Sequence, residues 1–375
     1  MDRCLKPSIL TVAFAAIAAM GFFTSAAVAC TDIRIKANDG SLLIARSMEF
    51  GEQLNSNLRT MPQGSEFKVK TPNGKQGLSW KSKYGYLYVD GFGQPLNLDG
   101  MNEKGLSFEA LYMPGVTQYQ SIPSGKENKA LAYQYLGDWV LGNFATVEET
   151  KKALENILVF GDKVNGLGDV ILPMHAAISD SSGKGIVVEF IDGKMNVYEN
   201  SLGIMTNVPV YPWQITNLRN YVNLSPYNPE AIKAGSLVFN ATGQGAGMFG
   251  IPGDYTPPSR FVKMAFSLKN SVPASDINNA INIAEHLMNN VDIPFGLVRA
   301  KGDDNTDVLE NTQWVVFKDL SNKVLYYRTY EDLSLRSVSL DKLDISKSGT
   351  ALKMPLARKP NIQDLSNDFL STKGS

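Results

Sequence analysis

Reactive chemistry has few places to reside in this chain. Its 375 residues hold two histidines, His175 and His286, and two cysteines, Cys4 and Cys30. A three-histidine zinc centre is excluded. A Ser-His-Asp triad would need one of those two histidines, and there is no G-x-S-x-G elbow to carry its serine. Cys30 stands out by position, because it follows Ala27-Val28-Ala29, an A-x-A cleavage signature. Arg3 and Lys6 precede an uncharged, Ala-rich stretch from Ile9 to Ala29. Together these read as a secretory leader over residues 1–29, which places the mature chain in an exported, periplasmic or secreted setting. An uncleaved anchor helix is the competing reading, opposed by the low Leu content and the small residues before Cys30. Cleavage would also remove Cys4, leaving one cysteine and no internal disulfide.

Three roles compete for a cysteine at that position. A bystander core thiol is the usual default, but a chain terminus is a poor place for one. A lipid-anchored binding protein, acylated at Cys30, is the second; Ala27 stands where a lipoprotein signal usually has Leu. The third is an N-terminal nucleophile, whose thiolate attacks while the α-amino group of the same residue moves the proton. An unperturbed α-amine titrates at about 7.7–8.0, so it can do this near neutral pH without histidine.

Composition narrows the rest. There are 36 Lys and Arg against 37 Asp and Glu, a net charge of −1, so nothing provides an electrostatic footprint for nucleic acid or anionic lipid. The 43% apolar and 19% charged content is that of a globular protein. Gly245 to Gly250 matches G-x-G-x-x-G, but Pro252, Pro257 and Pro258 follow, and a tight loop is the better reading. Asp303, Asn305 and Asp307 imitate a calcium loop, yet Val308 and Trp314 occupy the Gly and Glu positions, leaving a solvated acidic loop. His175 falls in an expected strand and His286 in an expected helix, and each is read as structural.

The elements that must position Cys30 follow from periodicity. Ile33 and Ile35 alternate, Asn38-Asp39-Gly40 turns, and Leu42 to Met48 runs apolar, so Cys30 opens the first strand of a hairpin. Further strands are expected at Tyr84–Val89, Leu106–Tyr112, Met174–Ser179, Ile186–Ile191 and Met195–Tyr198, the last two joined by an Asp192-Gly193 turn. Trp314–Phe317, Val324–Tyr327 and Leu335–Leu340 complete them. Helices are expected at Ala130–Leu141, from a Thr146/Glu149 capping box to Leu158, at Arg260–Leu268 and at Ser275–Val291. Sequential hairpins broken by helix pairs predict an α+β protein with antiparallel sheets and helices on their faces. The partition is a leader over 1–29, one domain over 30–343 and a polar tail over 344–375.

Five segments then resemble one family. Cys30-Thr31-Asp32-Ile33-Arg34 and Ala45-Arg46-Ser47-Met48-Glu49 are similar to the choloylglycine hydrolase and penicillin V acylase family. So are Asp99 to Gly105, Met205-Thr206-Asn207-Val208-Pro209 and Pro258-Ser259-Arg260-Phe261, in the family's order. The resemblance implies an N-terminal-nucleophile hydrolase with a four-layered αββα sandwich of two antiparallel sheets, cleaving linear amides. It implies Cys30 as nucleophile, with Arg46 beside it favouring the thiolate. Glu49 stands where the family has Asp to hold the α-amino group. Asn207 and the backbone N–H of Tyr112 would hold the oxyanion, and Arg260 would complete the cluster. No metal or organic cofactor is called for.

The implied partner is a small-molecule amide; no nucleic acid or stable membrane partner is expected after leader cleavage, and a homo-oligomer is left open. Within the family, bile salt hydrolases tend to carry Asn where this chain has Tyr112, and penicillin V acylases an aromatic residue. With Phe50 as a second ring, the expectation is a penicillin V acylase or N-acyl homoserine lactone acylase. Bile salt hydrolysis is the alternative.

Overall fold

The computed structural model describes residues 29–164, 170–302 and 304–371. Apart from Ala29, the expected leader lies outside the described residues, as does Asp303 of the acidic loop. In chain order the strands of the two large sheets are β1 (Cys30–Lys36), β2 (Leu42–Phe50), β3 (Asn57–Met61), β4 (Tyr86–Gly91), β5 (Gln94–Asn102), β6 (Leu106–Tyr112), β7 (Met174–Asp180), β8 (Gly185–Ile191), β9 (Lys194–Glu199), β10 (Ile204–Met205), β11 (Val298–Lys301), β12 (Asp307–Asp319), β13 (Val324–Thr329), β14 (Arg336–Ser339) and β15 (Lys353–Pro355). The first sheet runs β10-β1-β2-β12-β13-β14, with β11 also on β12. The second runs β9-β8-β7-β6-β5-β4-β3-β15. All their pairings are antiparallel.

Both faces of the central strands are covered. Every residue of β2 from Leu42 to Glu49 is buried. An antiparallel sheet with one wet face would alternate instead. One face meets the other sheet, and the other meets α4 (Pro257–Asn270) and α5 (Ile277–Asn289); α1 (Leu136–Asn143) and α2 (Val147–Leu154) cover the second sheet. The result is the expected four-layered αββα sandwich. Its hairpins obey local rules. Asp192 and Gly193 both take positive φ, 51° and 69°, which gives the two-residue turn that matches strand twist. Thr146 caps α2 by accepting from the Glu149 N–H at 3.2 Å, while Glu149 Oε2 accepts from the Ala145 N–H at 2.8 Å.

Three expectations are corrected. Ala130–Leu141 is not one helix: Ala130–Ala132 is a strand paired in parallel with Leu158–Phe160, a 3-10 turn covers Tyr133–Tyr135, and α1 begins at Leu136. A uniformly apolar run carries no period to separate strand from buried helix. The same pairing ends α2 at Leu154 rather than Leu158. Within the polar tail, Lys353–Pro355 is ordered as β15 against β3. Gly245–Gly250 opens no long helix; only a 3-10 turn covers Ala246–Met248. His175 is buried in β7 with Nδ1 3.5 Å from Glu189 Oε1, and His286 is exposed on α5.

Candidate active site

Cys30 is the first residue of β1, and its register partner on β2 is Met48. That pairing buries it to 1% exposure and sets Sγ 3.7 Å from Met48 Sδ and 3.8 Å from Arg46 Nη2. Arg46 is itself fully buried and anchored to two carbonyls of the facing sheet, Leu98 O at 3.2 Å and Ala110 O at 2.7 Å. Its guanidinium also lies over the Trp314 ring, 4.9 Å from the centroid. Burial pushes the Cys30 thiol above its ordinary value; Arg46 pulls it down, the Glu49 carboxyl pushes it up, and the Glu49 N–H and Arg260 pull it down.

Asn207 and Arg260 close the site from the helix side. Asn207 follows β10, which pairs with β1, and Arg260 sits in the first turn of α4. The Cys30 N–H donates to Asn207 Oδ1 at 2.9 Å, and Arg260 Nη2 donates to the same oxygen at 2.7 Å. Arg260 Nη1 donates to the Cys30 carbonyl and to Thr31 Oγ1, and Nε donates to Tyr255 O at 2.9 Å. This fork fixes both ends of the first residue of β1, which a lysine could not do. Asn207 Nδ2 donates to the Tyr112 carbonyl at 2.6 Å. An amide nitrogen carries two hydrogens, so one remains for another acceptor. The geometry ties Asn207 to the Tyr112 backbone through its carbonyl rather than its N–H.

Glu49 is close by but turned elsewhere. Its Oε1 accepts from Thr312 Oγ1 at 2.8 Å, its register partner on β12, and its N–H donates to Ala29 O at 3.1 Å. The Cys30 nitrogen is bonded to Asn207 instead. That nitrogen is a peptide amide with one hydrogen, and the Glu49 side chain reaches past it to Thr312. Burial pushes the Glu49 carboxyl up to about 7, against the pull of Arg260. Beyond Thr312 lies Glu310, pushed up to about 8 by burial and by Glu49.

Cys30 lines a small apolar pocket of about 20 Å³ with Met48, Phe50, Leu54, Phe92, Leu98, Tyr112, Leu172 and Met174. Phe50 packs edge-to-face on Phe92 at 5.6 Å and on Tyr112 at 5.9 Å. Both rings expected at the site are therefore in its wall. Sequence reading missed Phe92, Leu172 and Met174, and also Thr312 and Glu310. Phe92, Leu172 and Met174 are ordinary core types, and Thr312 and Glu310 come near Glu49 only through the β2–β12 pairing. The site holds a buried thiol, a cation beside it, an amide donor and a peptide nitrogen held by that amide. Were the Ala29–Cys30 bond cut, that nitrogen would be an amine next to the thiol.

Residues 30–354 match the family model of linear amide C–N hydrolases, choloylglycine hydrolase family. A bile salt hydrolase/transferase of Clostridium perfringens is 33% identical over 84% of this chain and 93% of its own length. A penicillin V acylase of Pectobacterium atrosepticum is 26% identical over 92% and 90%. Among solved structures, a variant of the C. perfringens conjugated bile acid hydrolase superposes with TM-score 0.77 at 30% identity, covering 89% of this chain and 99% of that one. Penicillin V acylase from Agrobacterium tumefaciens gives 0.70 at 25%, covering 88% and 92%. Likeness is thus greater to these bile salt hydrolases than to these penicillin V acylases, against the substrate order expected from Tyr112. The chain belongs to the linear amide C–N hydrolases of the choloylglycine hydrolase family.

Proposed function

We propose that the mature enzyme begins at Cys30 and hydrolyses the amide of a conjugated bile salt through that residue. The observation that carries the nucleophile is the Cys30 nitrogen bonded to Asn207, with Sγ facing Arg46 and opening onto an apolar pocket. The likeness to bile salt hydrolases supports the substrate. Removal of residues 1–29 turns the peptide nitrogen into an α-amine and adds a cation beside Sγ, which favours the thiolate. The thiolate attacks the amide carbonyl, and the second Asn207 Nδ2 hydrogen stabilises the oxyanion; a donor of this kind is worth about 3–4 kcal/mol. The α-ammonium passes its proton to the leaving nitrogen, and the amine product departs. Water then attacks the thioester with the α-amine as base, and the acid leaves. Export of the chain follows from the leader pattern.

A second substrate reading rests on the three rings. Phe50, Phe92 and Tyr112 wall the pocket edge-to-face and offer flat contact to an aryl acyl group such as phenoxyacetyl. The test is kcat/KM of the mature enzyme for glycocholate, penicillin V and a long-chain N-acyl homoserine lactone. Glycocholate should rank first; penicillin V ranking first would transfer the assignment to the second reading. Intact mass of the exported protein should begin at unmodified Cys30. A diacylglyceryl adduct there would overturn the nucleophile and favour a tethered binding protein. Cys30→Ser should lose at least about a thousandfold in turnover while melting like the wild type, since a hydroxyl is a far weaker nucleophile at this pH.

A further inference from the structure

Behind Arg46, between the two sheets, lies a buried ionic cluster that the amide chemistry leaves unused. Asp32 of β1, Lys318 of β12, and Asp99 and Glu109 of β5 and β6 are all at most 1% exposed. Asp99 and Glu109 are register partners, so their carboxyls stand side by side. Lys318 crosses from the first sheet and donates to Asp99 Oδ1 and Glu109 Oε1, each at 2.5 Å. Ser107 Oγ also donates to Glu109 Oε1. Arg46 Nη1 lies 3.7 Å from Asp99 Oδ2 while its Nη2 faces Cys30 Sγ at 3.8 Å. One guanidinium therefore stands between the Asp99 carboxyl and the Cys30 sulfur.

Hydrogen bonding decides which of them it serves. Three carboxyls face Lys318 and Arg46, and Arg34 stands beside Asp32. Asp32 Oδ1, Asp99 Oδ2 and Glu109 Oε2 have no hydrogen-bond partner among the described residues. In a dry interior an uncompensated carboxylate takes a proton instead. Burial and Glu109 push the Asp32 carboxyl well up, with Asp99 adding to it and Lys318 and Arg46 opposing. With Lys318 holding both Asp99 and Glu109, the Arg46 guanidinium stays within reach of the sulfur.

We propose that Lys318 is a positioning residue for the Cys30 thiolate, acting through Asp99 to leave Arg46 directed at the sulfur. This rests on the reading of Cys30 as the reacting thiol. Without Lys318, Asp99 has Arg46 as its remaining cation and draws the guanidinium away from Sγ. Without the Asp99 carboxylate, the sulfur has no rival for it. The groups that face Sγ are Arg46 and Glu49 from β2 and Arg260 from α4. Those that face the cluster are Asp32, Asp99, Glu109, Lys318 and Arg46, with Arg34 beside Asp32 and Tyr133 beside Arg46.

The experiment follows the pH dependence of Cys30 alkylation by iodoacetamide in the mature enzyme, read by peptide mass and so independent of turnover. Lys318→Met should raise the midpoint by about one unit, about tenfold slower alkylation below it. Asp99→Asn should move the midpoint the other way. Lys318→Arg should restore the wild-type curve. Unchanged midpoints, or both variants moving in one direction, would overturn the proposal, since a merely structural role would not give opposite signs. Should Lys318→Met fail to fold, Asp99→Asn decides alone: a lowered midpoint supports the proposal, and an unchanged or raised one sinks it. If alkylated wild-type enzyme kept its amidase activity, the nucleophile reading would fall while the titration result stood.

Discussion

Glu49 and Glu310 bring two buried carboxyls to the one guanidinium of Arg260. Both have an ordinary value of 4.5 and are raised on folding, to about 7 and about 8, with burial the largest cause. A raised carboxyl means that the folded state binds more protons than the unfolded one. The stability they lend is complete below pH 4.5 and is lost as pH rises through 7 and then 8. For Glu49, fully buried, the loss is roughly 3 kcal/mol. Thermal melts of the unprocessed chain from pH 5 to 8 should therefore fall steadily, and Glu310→Gln should flatten the fall. In a chain cut before Cys30, as proposed above, the α-ammonium would supply a second cation, so its melts should fall less. An equally steep decline in Glu310→Gln would refute the pairing. At this scale the sequence was partly legible. Cys30, Arg46, Asn207 and Arg260 could be found by type and by the order of motifs. Thr312 could not, because its bond to Glu49 joins positions 263 residues apart and exists only through the β2–β12 register.

Arg260 depends on where α4 begins. Pro257 and Pro258 open the helix, where a missing N–H costs nothing, and Asp254 accepts from the Thr256 N–H at 2.8 Å and from Ser259 Oγ at 2.7 Å. This turn aims the next residue, Arg260, at the start of β1. Arg260→Ala would strand the Cys30 carbonyl, leave Asn207 Oδ1 only the Cys30 N–H and remove the cation facing the Glu49 carboxyl, costing about 3–5 kcal/mol and nearly all turnover. Arg260→Lys should recover little, for want of the fork. Thr146→Ala is the contrasting case. It removes the cap of a helix in the outer layer, should cost about 1 kcal/mol and should leave kcat unchanged. Denaturant melts and kcat measured on the same preparations check both, and a normal kcat in Arg260→Ala would refute its place in the site. Element reading from sequence worked where the pattern was local, as in the capping box and the Asp192-Gly193 turn. It failed at Ala130–Ala132, whose strand is imposed by a parallel partner at Leu158–Phe160.

For the molecule as a whole, antiparallel sheets with helices on their faces were legible because hairpins and helix pairs alternate along the chain, whereas the four-layer order came from the family resemblance. What sequence could not show is how deeply the layers bury the start of β1. Ala29 is 5% exposed and Cys30 1%, the Ala29 carbonyl accepts from the Glu49 N–H, and the next peptide nitrogen donates to Asn207. Both polar groups of the Ala29–Cys30 bond are thus held inside the sandwich. A peptidase must bind an extended segment on both sides of the bond it cuts, and here both Ala29 and Cys30 are buried. Under the processing proposed above, removal of residues 1–29 should therefore precede folding, as it would if cleavage accompanies export of an unfolded chain. Unprocessed protein refolded in vitro should resist added signal peptidase, whereas the same chain presented unfolded should be cut. It should also lack amidase activity, because a peptide nitrogen has no basic lone pair to move the proton. The readout is the N-terminal residue by mass together with glycocholate hydrolysis on the same sample. Ready cleavage of the folded chain would show that the start of β1 opens spontaneously, and turnover by the uncut chain would show that the α-amine is not the base.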